Sequence, residues 1–572
     1  MVYDSPDLNR GKWEKPTDYI FACLGLALSP DIFAVFLWWF SNISKFGIFN
    51  YFVYMVICLV PILLIHSFVG QFSSSGFISA FRLSPLFKGM GYVTLFLTIS
   101  IVIYYSIFAA YSLFFVVNSL RPTLPWSCDG YKFWHKNNTA EFTTCNLTVP
   151  QDFDSYEDHP MHNAPSELYI HSHFASIQAD FDLYLEDLKI HWQFVGFFVL
   201  VWAMIAVIFY KFRETAKFGK LMRYMVIGTL SVLLVCFVRF SFLPGTFKGL
   251  TIFENAYPDV QGVAMGIGST LILVVHAFGA GWGSVIALSS FNGFRTNIMS
   301  YSWIISFGQI FIFIMFGMVH FMIQHYRNEP KGPSGFFIIR LDWDLMGHTS
   351  ALSTLEWPNL WTFLYYSMFL MAALIGMSTQ IFTVLQSLFD EFEELRKRKM
   401  QVTFGLIGGL SVCSLFFCTN RGISLFSHLG VDAIFTHSVL NFLLLLVVLW
   451  VYGRQRFQRD IEFMLGQPFA SWKVFILRFI APIIFLIGLF AGIYFYSFYD
   501  FGLSIIYIIP VYGVYYLYQS NGTFSERFRR TCRPTNWYPV EMDHRQQYEE
   551  AAGNTEMKSV LISSTGEQED SQ

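Results

Sequence analysis

Long apolar runs alternate with short polar turns along most of the chain. A helix that crosses a bilayer needs about 20 mostly apolar residues, and about twelve segments reach that length. Their centres lie near Ala27, Ile57, Ile103, Val201, Leu230, Ile272, Ile310, Leu370, Gly409, Leu445, Ile484 and Ile508. The pattern predicts an all-α membrane protein. Residues 1–17 form a polar N-terminus with no apolar leader, 18–519 form the helical unit, and 520–572 form a polar tail expected to be disordered. Two connections, 121–190 and 327–358, are long and polar.

Two spans carry breakers at mid-depth. Span 1 contains Ser29-Pro30-Asp31, and span 6 contains Gly279-Ala280-Gly281-Trp282-Gly283-Ser284. Proline removes a donor and clashes with the preceding turn. An aspartate at that depth costs about 2.5–3.5 kcal/mol. Interrupted helices at matching places in two halves point to a transporter built from inverted repeats, with the solute bound at the breaks. Taken singly, Pro30 reads as a kink and the glycines as a packing face. Asp31 reads equally as a ligand or as the cap of the second half-helix.

Composition sharpens this picture. Of 572 residues, 54% are hydrophobic and 13% charged, where soluble chains carry about 25% charged. The net charge of -3 gives no reason to expect a nucleic-acid partner. Lys and Arg gather in alternate connections: Arg82/Lys88, Lys211 to Arg223, Arg295, Arg396 to Lys399 and Arg454 to Arg459. That bias places these connections and both termini in the cytoplasm and the two long loops outside, at the cell membrane. Cys128 and Cys145 in the first long loop are expected to form a disulfide, and Asn137 and Asn146 to accept glycans, both exoplasmic features. A further glycan pattern at Asn521 falls in the tail and is expected to be unused. No nucleophile–base set, metal cluster or phosphate loop is present, so catalysis is not expected.

Several short motifs, in order, resemble the neurotransmitter:sodium symporter family. They include Arg10-Gly11-Lys12-Trp13, Gly70-Gln71, Gly91-Tyr92, Ile103-Tyr104-Tyr105, Leu124-Pro125-Trp126, Phe218-Gly219-Lys220, Leu243-Pro244-Gly245, Ser290-Phe291-Asn292, Asp390-Glu391-Phe392, Tyr452-Gly453 and Met464-Leu465-Gly466. The resemblance spans residues 10–485. It implies twelve helices in a five-plus-five, LeuT-like inverted repeat with helices 1 and 6 broken. It also implies sodium-coupled uptake of a small amino acid or amine.

The resemblance assigns a sodium ion to carbonyls of Gly25, Leu28 and Ile375 and hydroxyls of Ser378 and Thr379. The alternative is that both hydroxyls bond back to the preceding turn. Solute contacts fall on Asp31, Ile101, Tyr105, Phe278, Trp282 and Ser378, and a cytoplasmic gate on Arg10, Trp13 and Asp390, Glu391 or Glu393. The first sodium site is poorly matched, with Ile32, Ala277 and Tyr301 at its positions. Chloride is doubtful, because Leu273 and Ala277 replace polar groups beside Tyr51. The external gate arginine gives way to Val35, and the helix 2 and helix 10 glutamates to His66 and Leu444. His66 is expected to be a satisfied core residue or, alternatively, a titrating group. These departures leave a second reading open: a non-transporting relative acting as a sensor or as a regulatory partner of another membrane protein. A channel-like leak is the third.

Overall fold

The computed structural model describes residues 10–28, 47–127, 129–130, 190, 192–244, 246, 283–326, 348–349, 351–419, 436–437, 439–495 and 505–551. Nearly all of them are helical, and the only pairing of extended residues among them is the bridge Ile190–Thr419. Eight helices among the described residues are long and apolar enough to cross a membrane. The spans expected around Ala27, Ile272, Ile484 and Ile508 run to or past the edge of the described set. The first predicted break and all of the second but Gly283-Ser284, and with them Asp31, Phe278 and Trp282, lie outside it, as do Cys128, Cys145, Asn137 and Asn146.

In chain order the helices are α1 (Pro16–Ala27), α2 (Gly47–Tyr54), α3 (Val60–Ser73), α4 (Gly89–Asn118), α5 (Trp192–Lys211), α6 (Thr215–Ser241) and α7 (Ser284–Ser289). They continue with α8 (Ile298–Tyr326), α9 (Pro358–Glu391), α10 (Lys399–Ser414), α11 (Arg454–Leu465), α12 (Ala481–Phe495), α13 (Ile508–Gln519) and α14 (Phe524–Cys532). Pro16 and Pro358 open their helices where a missing N–H costs nothing. Pro61 and Pro482 instead sit inside continuous helical runs. Each follows a wide π turn, Met55–Leu59 or Ile476–Ile480, which makes room for the ring. Pro482 has no N–H to offer the Arg478 carbonyl, and the Trp450 indole donates to that oxygen instead at 3.4 Å.

The core forms around α9. In its most apolar stretch 89% of residues are buried, against 28% for α6 and 33% for α5 and α10, whose outer faces remain apolar for lipid. α9 runs along α4 and packs on α6 and α1. Small residues set the closest crossings. A Cβ on Gly70 of α3 would lie 2.0 Å from the Ile286 carbonyl oxygen of α7.

The tail differs from expectation. Its polar average hides Trp537 and Tyr548, and these fold residues 524–551 back onto the helical unit. Trp537 is buried and stacks on Phe72 at 5.1 Å. Thr535 N–H donates to the Arg82 carbonyl at 2.9 Å. The Tyr548 hydroxyl donates to Asp460 Oδ1 at 2.9 Å, and its ring lies 5.6 Å from Phe72. Burial first, then the Asp460 carboxylate, pushes the Tyr548 hydroxyl above its ordinary pKa, so it stays a donor. Composition cannot reveal such anchors, because one or two aromatics outweigh many polar residues when a hydrophobic seat is waiting.

Gly70→Ala is therefore expected to destabilise the purified protein by about 1–3 kcal/mol, the usual cost of overpacking. Gly405→Ala in α10, where nothing lies within 4 Å of the added carbon, is expected to leave stability unchanged or raise it slightly. Thermal unfolding followed by size-exclusion fluorescence checks both.

Candidate functional site

α9 carries a polar stripe inside an apolar chain. Gln380, Thr383, Ser387 and Asp390 recur at spacings that share one helix face, and all four are buried. Ser284, in the first turn of α7, donates to Gln380 Oε1 at 2.9 Å. Ser387 accepts the Phe77 N–H at 3.2 Å, and Asp390 accepts the Gly76 N–H at 2.7 Å. The stripe thus fixes α7 and the turn after α3 against α9.

Ile375, Ser378 and Thr379 lie on the adjoining surface of the same helix, and all three are fully buried. α1 approaches at Gly25, where an added Cβ would sit 2.7 Å from Ile375 Cγ2. α1 ends at Ala27, and Leu28 leaves helical geometry with ψ 52°. Ending there frees the carbonyls of the last turn, Gly25 among them, from intrahelical donors. Neither α9 hydroxyl bonds back along its helix. Thr379 Oγ1 donates to Met222 Sδ of α6 at 3.6 Å, which leaves its lone pairs available. Ser378 Oγ is buried with no hydrogen-bond partner. An unsatisfied buried hydroxyl costs about 1–3 kcal/mol, so it needs an explanation. A dehydrated monovalent cation, coordinated by neutral oxygens, supplies one.

Tyr105 and Ile101 lie one turn apart on α4, both buried. The Tyr105 ring fills the space left by Gly376, 2.9 Å from where a Cβ would stand. The structure therefore brings these α4 residues to the same stretch of α9 as Ser378. Asp31, Phe278 and Trp282 cannot be placed with them, being outside the described residues.

The residues expected to form a gate converge. Arg10 NH2 lies 2.9 Å from Asp390 Oδ2, its NH1 donates to the Ser74 carbonyl at 2.6 Å, and its guanidinium covers Phe291 at 4.2 Å. Trp13 donates from Nε1 to the Leu288 carbonyl at 3.0 Å and packs on Phe291 and Phe382. The bare backbone of Gly219 makes room for its ring. Of the three acids proposed to face Arg10, Asp390 is the partner. Glu391 pairs with Lys88, and Glu393 pairs with Lys397 at 3.7 Å on the surface.

His66 is fully buried, and its Nε2 meets Asn441 Oδ1 at 3.1 Å, tying α3 to the span that ends in α11. The polar partner from that span is thus Asn441, not the position of Leu444 three residues on. Sequence reasoning also passed over Ser306 and Gln309 of α8. Both are buried, and the Ser306 hydroxyl and both Gln309 amide atoms lack hydrogen-bond partners. The spacing of Ser302, Ser306 and Gln309 on one helix face was the available signal.

Removing either member of the Arg10–Asp390 pair strands the other as a buried charge, at a cost of about 3–5 kcal/mol. Arg10→Ala and Asp390→Ala are expected to be strongly destabilising singly and clearly less than additive together. A double-mutant cycle on thermal unfolding reads the coupling.

Against known proteins, the model of the Sodium:neurotransmitter symporter family matches residues 10–522. A Xenopus laevis protein, the sodium- and chloride-dependent glycine transporter 1, is 26% identical over 587 residues, covering 94% of this chain and 90% of that protein. The human sodium- and chloride-dependent neutral and basic amino acid transporter B(0+) is 24% identical over 588 residues, covering 94% and 90% respectively. The mouse protein of that name is 24% identical over 591 residues, covering 95% and 91%.

Proposed function

The chain belongs to the sodium:neurotransmitter symporter family, and on that premise we propose that it carries a small amino acid across the plasma membrane together with sodium. The observation that carries this reading is the orphaned Ser378 hydroxyl beside the α1–α9 crossing. Gly25, Leu28 and Ile375 supply carbonyl oxygens there, and Ser378 and Thr379 supply hydroxyls. Neutral oxygens at a dry crossing suit sodium, because the ion's own charge is then the only one buried.

Transport proceeds by alternating access. One sodium moving inward releases about 2.3 kcal/mol per 100 mV of membrane potential, besides its concentration term. Tyr105 and Ile101 line the solute side, with Asp31, Phe278 and Trp282 contributed by the two helix breaks. An amino acid is favoured over an amine because the relatives named above carry amino acids. Both are also named as chloride-dependent. Here Ser306 and Gln309 are the buried polar groups free to take up a second ion or part of the solute. Both termini are cytoplasmic, and Arg10, Trp13 and Asp390 close the pathway on that side.

Uptake and current in voltage-clamped cells, with sodium replaced and a panel of amino acids and amines supplied, test this. Ser378→Ala is expected to raise the sodium concentration for half-maximal uptake by about tenfold, the effect of losing roughly 1.4 kcal/mol of coordination. Thr379→Val acts in the same direction. Surface protein that takes up and binds nothing on the panel would overturn the transport reading in favour of a sensor or regulatory partner.

A further inference from the structure

α13 keeps an apolar outer face up to its end: Val511, Val514, Tyr515 and Tyr518 are all exposed. A short turn through Gly522, with φ 119°, then leads into α14. Thr523 and Glu526 cap α14 reciprocally, with the Thr523 N–H donating to Glu526 at 3.0 Å. Those cap bonds, and then the charge of Arg530, hold the Glu526 carboxyl below its ordinary pKa. Thr531, one turn past Phe528 on the same side, is buried, so the far end of α14 is docked on the protein and its start is open.

The remaining faces are divided. Phe524 and Phe528 stack at 6.5 Å and are 75% and 48% exposed. Arg527, Arg529 and Arg530 occupy the rest of the circumference, and Arg533 follows just past the helix end. Among the described residues none of these arginines sits in an ion pair. Arg527 and Arg530 each give one donor to a carbonyl of the preceding turn, Gly522 or Asn521, and keep the others.

An exposed aromatic pair bordered by unpaired arginines, directly after a membrane helix, has the chemistry of the acyl–headgroup boundary. We propose that α14 is a binding surface for anionic glycerophospholipids. Phe524 and Phe528 enter the boundary, and Arg527, Arg529, Arg530 and Arg533 hold lipid phosphates and carboxylates. Only the short turn 520–523 separates the helix from the end of α13, whose outer face is apolar. The same surface anchors the root of the folded-back tail, which begins its contacts at Thr535.

The test uses the full chain in nanodiscs of phosphatidylcholine alone or with phosphatidylserine, read by hydrogen–deuterium exchange. Amides of residues 524–533 are expected to exchange about fivefold slower or more with phosphatidylserine, the factor that one arginine at an anionic surface contributes. The difference is expected to vanish in the combined Arg527→Gln, Arg529→Gln, Arg530→Gln, Arg533→Gln variant and to shrink in Phe524→Ser/Phe528→Ser. Unchanged protection over 535–548 shows that the tail remains folded in each variant. Equal exchange in the two discs overturns the proposal, as does a difference that survives the arginine changes. Protection in neutral discs that disappears on deleting 552–572 assigns the face to the chain's own end and overturns it too. Uptake plays no part in this readout, so its failure leaves the transport reading untouched.

Discussion

Inside a bilayer a polar side chain has no water to fall back on, so protein must answer it. α9 imposes that demand on its surroundings along much of its length. Gln380 takes a hydroxyl from α7, while Ser387 and Asp390 take backbone amides from the turn after α3, and Asp390 also takes the N-terminal guanidinium. Together these bonds gather α7, the turn after α3 and the N-terminal segment onto one helix. The arrangement of the half that holds Arg10 and Asp390 follows from meeting these demands together, and apolar packing then fills between them. Ser378 breaks the rule: its hydroxyl is buried without a partner, one turn along from Ile375, against which Gly25 of α1 packs.

The two kinds of helix in the fold follow from the same solvent. α5, α6 and α10 need only an apolar outside and a small seat on the core, so exposed Val199, Leu200, Leu234 and Val412 are ordinary there. α4 and α9 are shielded on nearly every side, and they are the ones that can hold hydroxyls and a carboxylate at depth. Polar chemistry and shielding from lipid therefore coincide. α4 and α9 meet where Tyr105 faces Gly376.

The span pattern was legible because length and hydropathy are local properties, and Ser378, Thr379 and Asp390 could be singled out because motifs fixed their positions. Pairings were not. His66 and Asn441 stand 375 residues apart, and nothing in either neighbourhood names the other. Leu444 stands where the family has a glutamate, and the polar partner of His66 is an amide almost one turn before it. Ser306 and Gln309 were hidden by the strength of the apolar signal around them. The tail was misjudged for the opposite reason: its polar average concealed Trp537 and Tyr548, whose seats on Phe72, Phe463 and Asp460 belong to distant parts of the chain.

The folded-back tail bears on the order in which the molecule is built. Residues 533–551 leave the ribosome after every helix they touch. Phe68 and Phe72 of α3 and Phe294 before α8 are made long before Trp537 and His544 arrive to cover them. Until then these rings lack that part of their cover, and incompletely covered apolar surface is the kind that chaperones hold. Closing the tail over them is thus a last step of maturation. A chain with a misinserted span presents the tail with a damaged seat and keeps its rings on display.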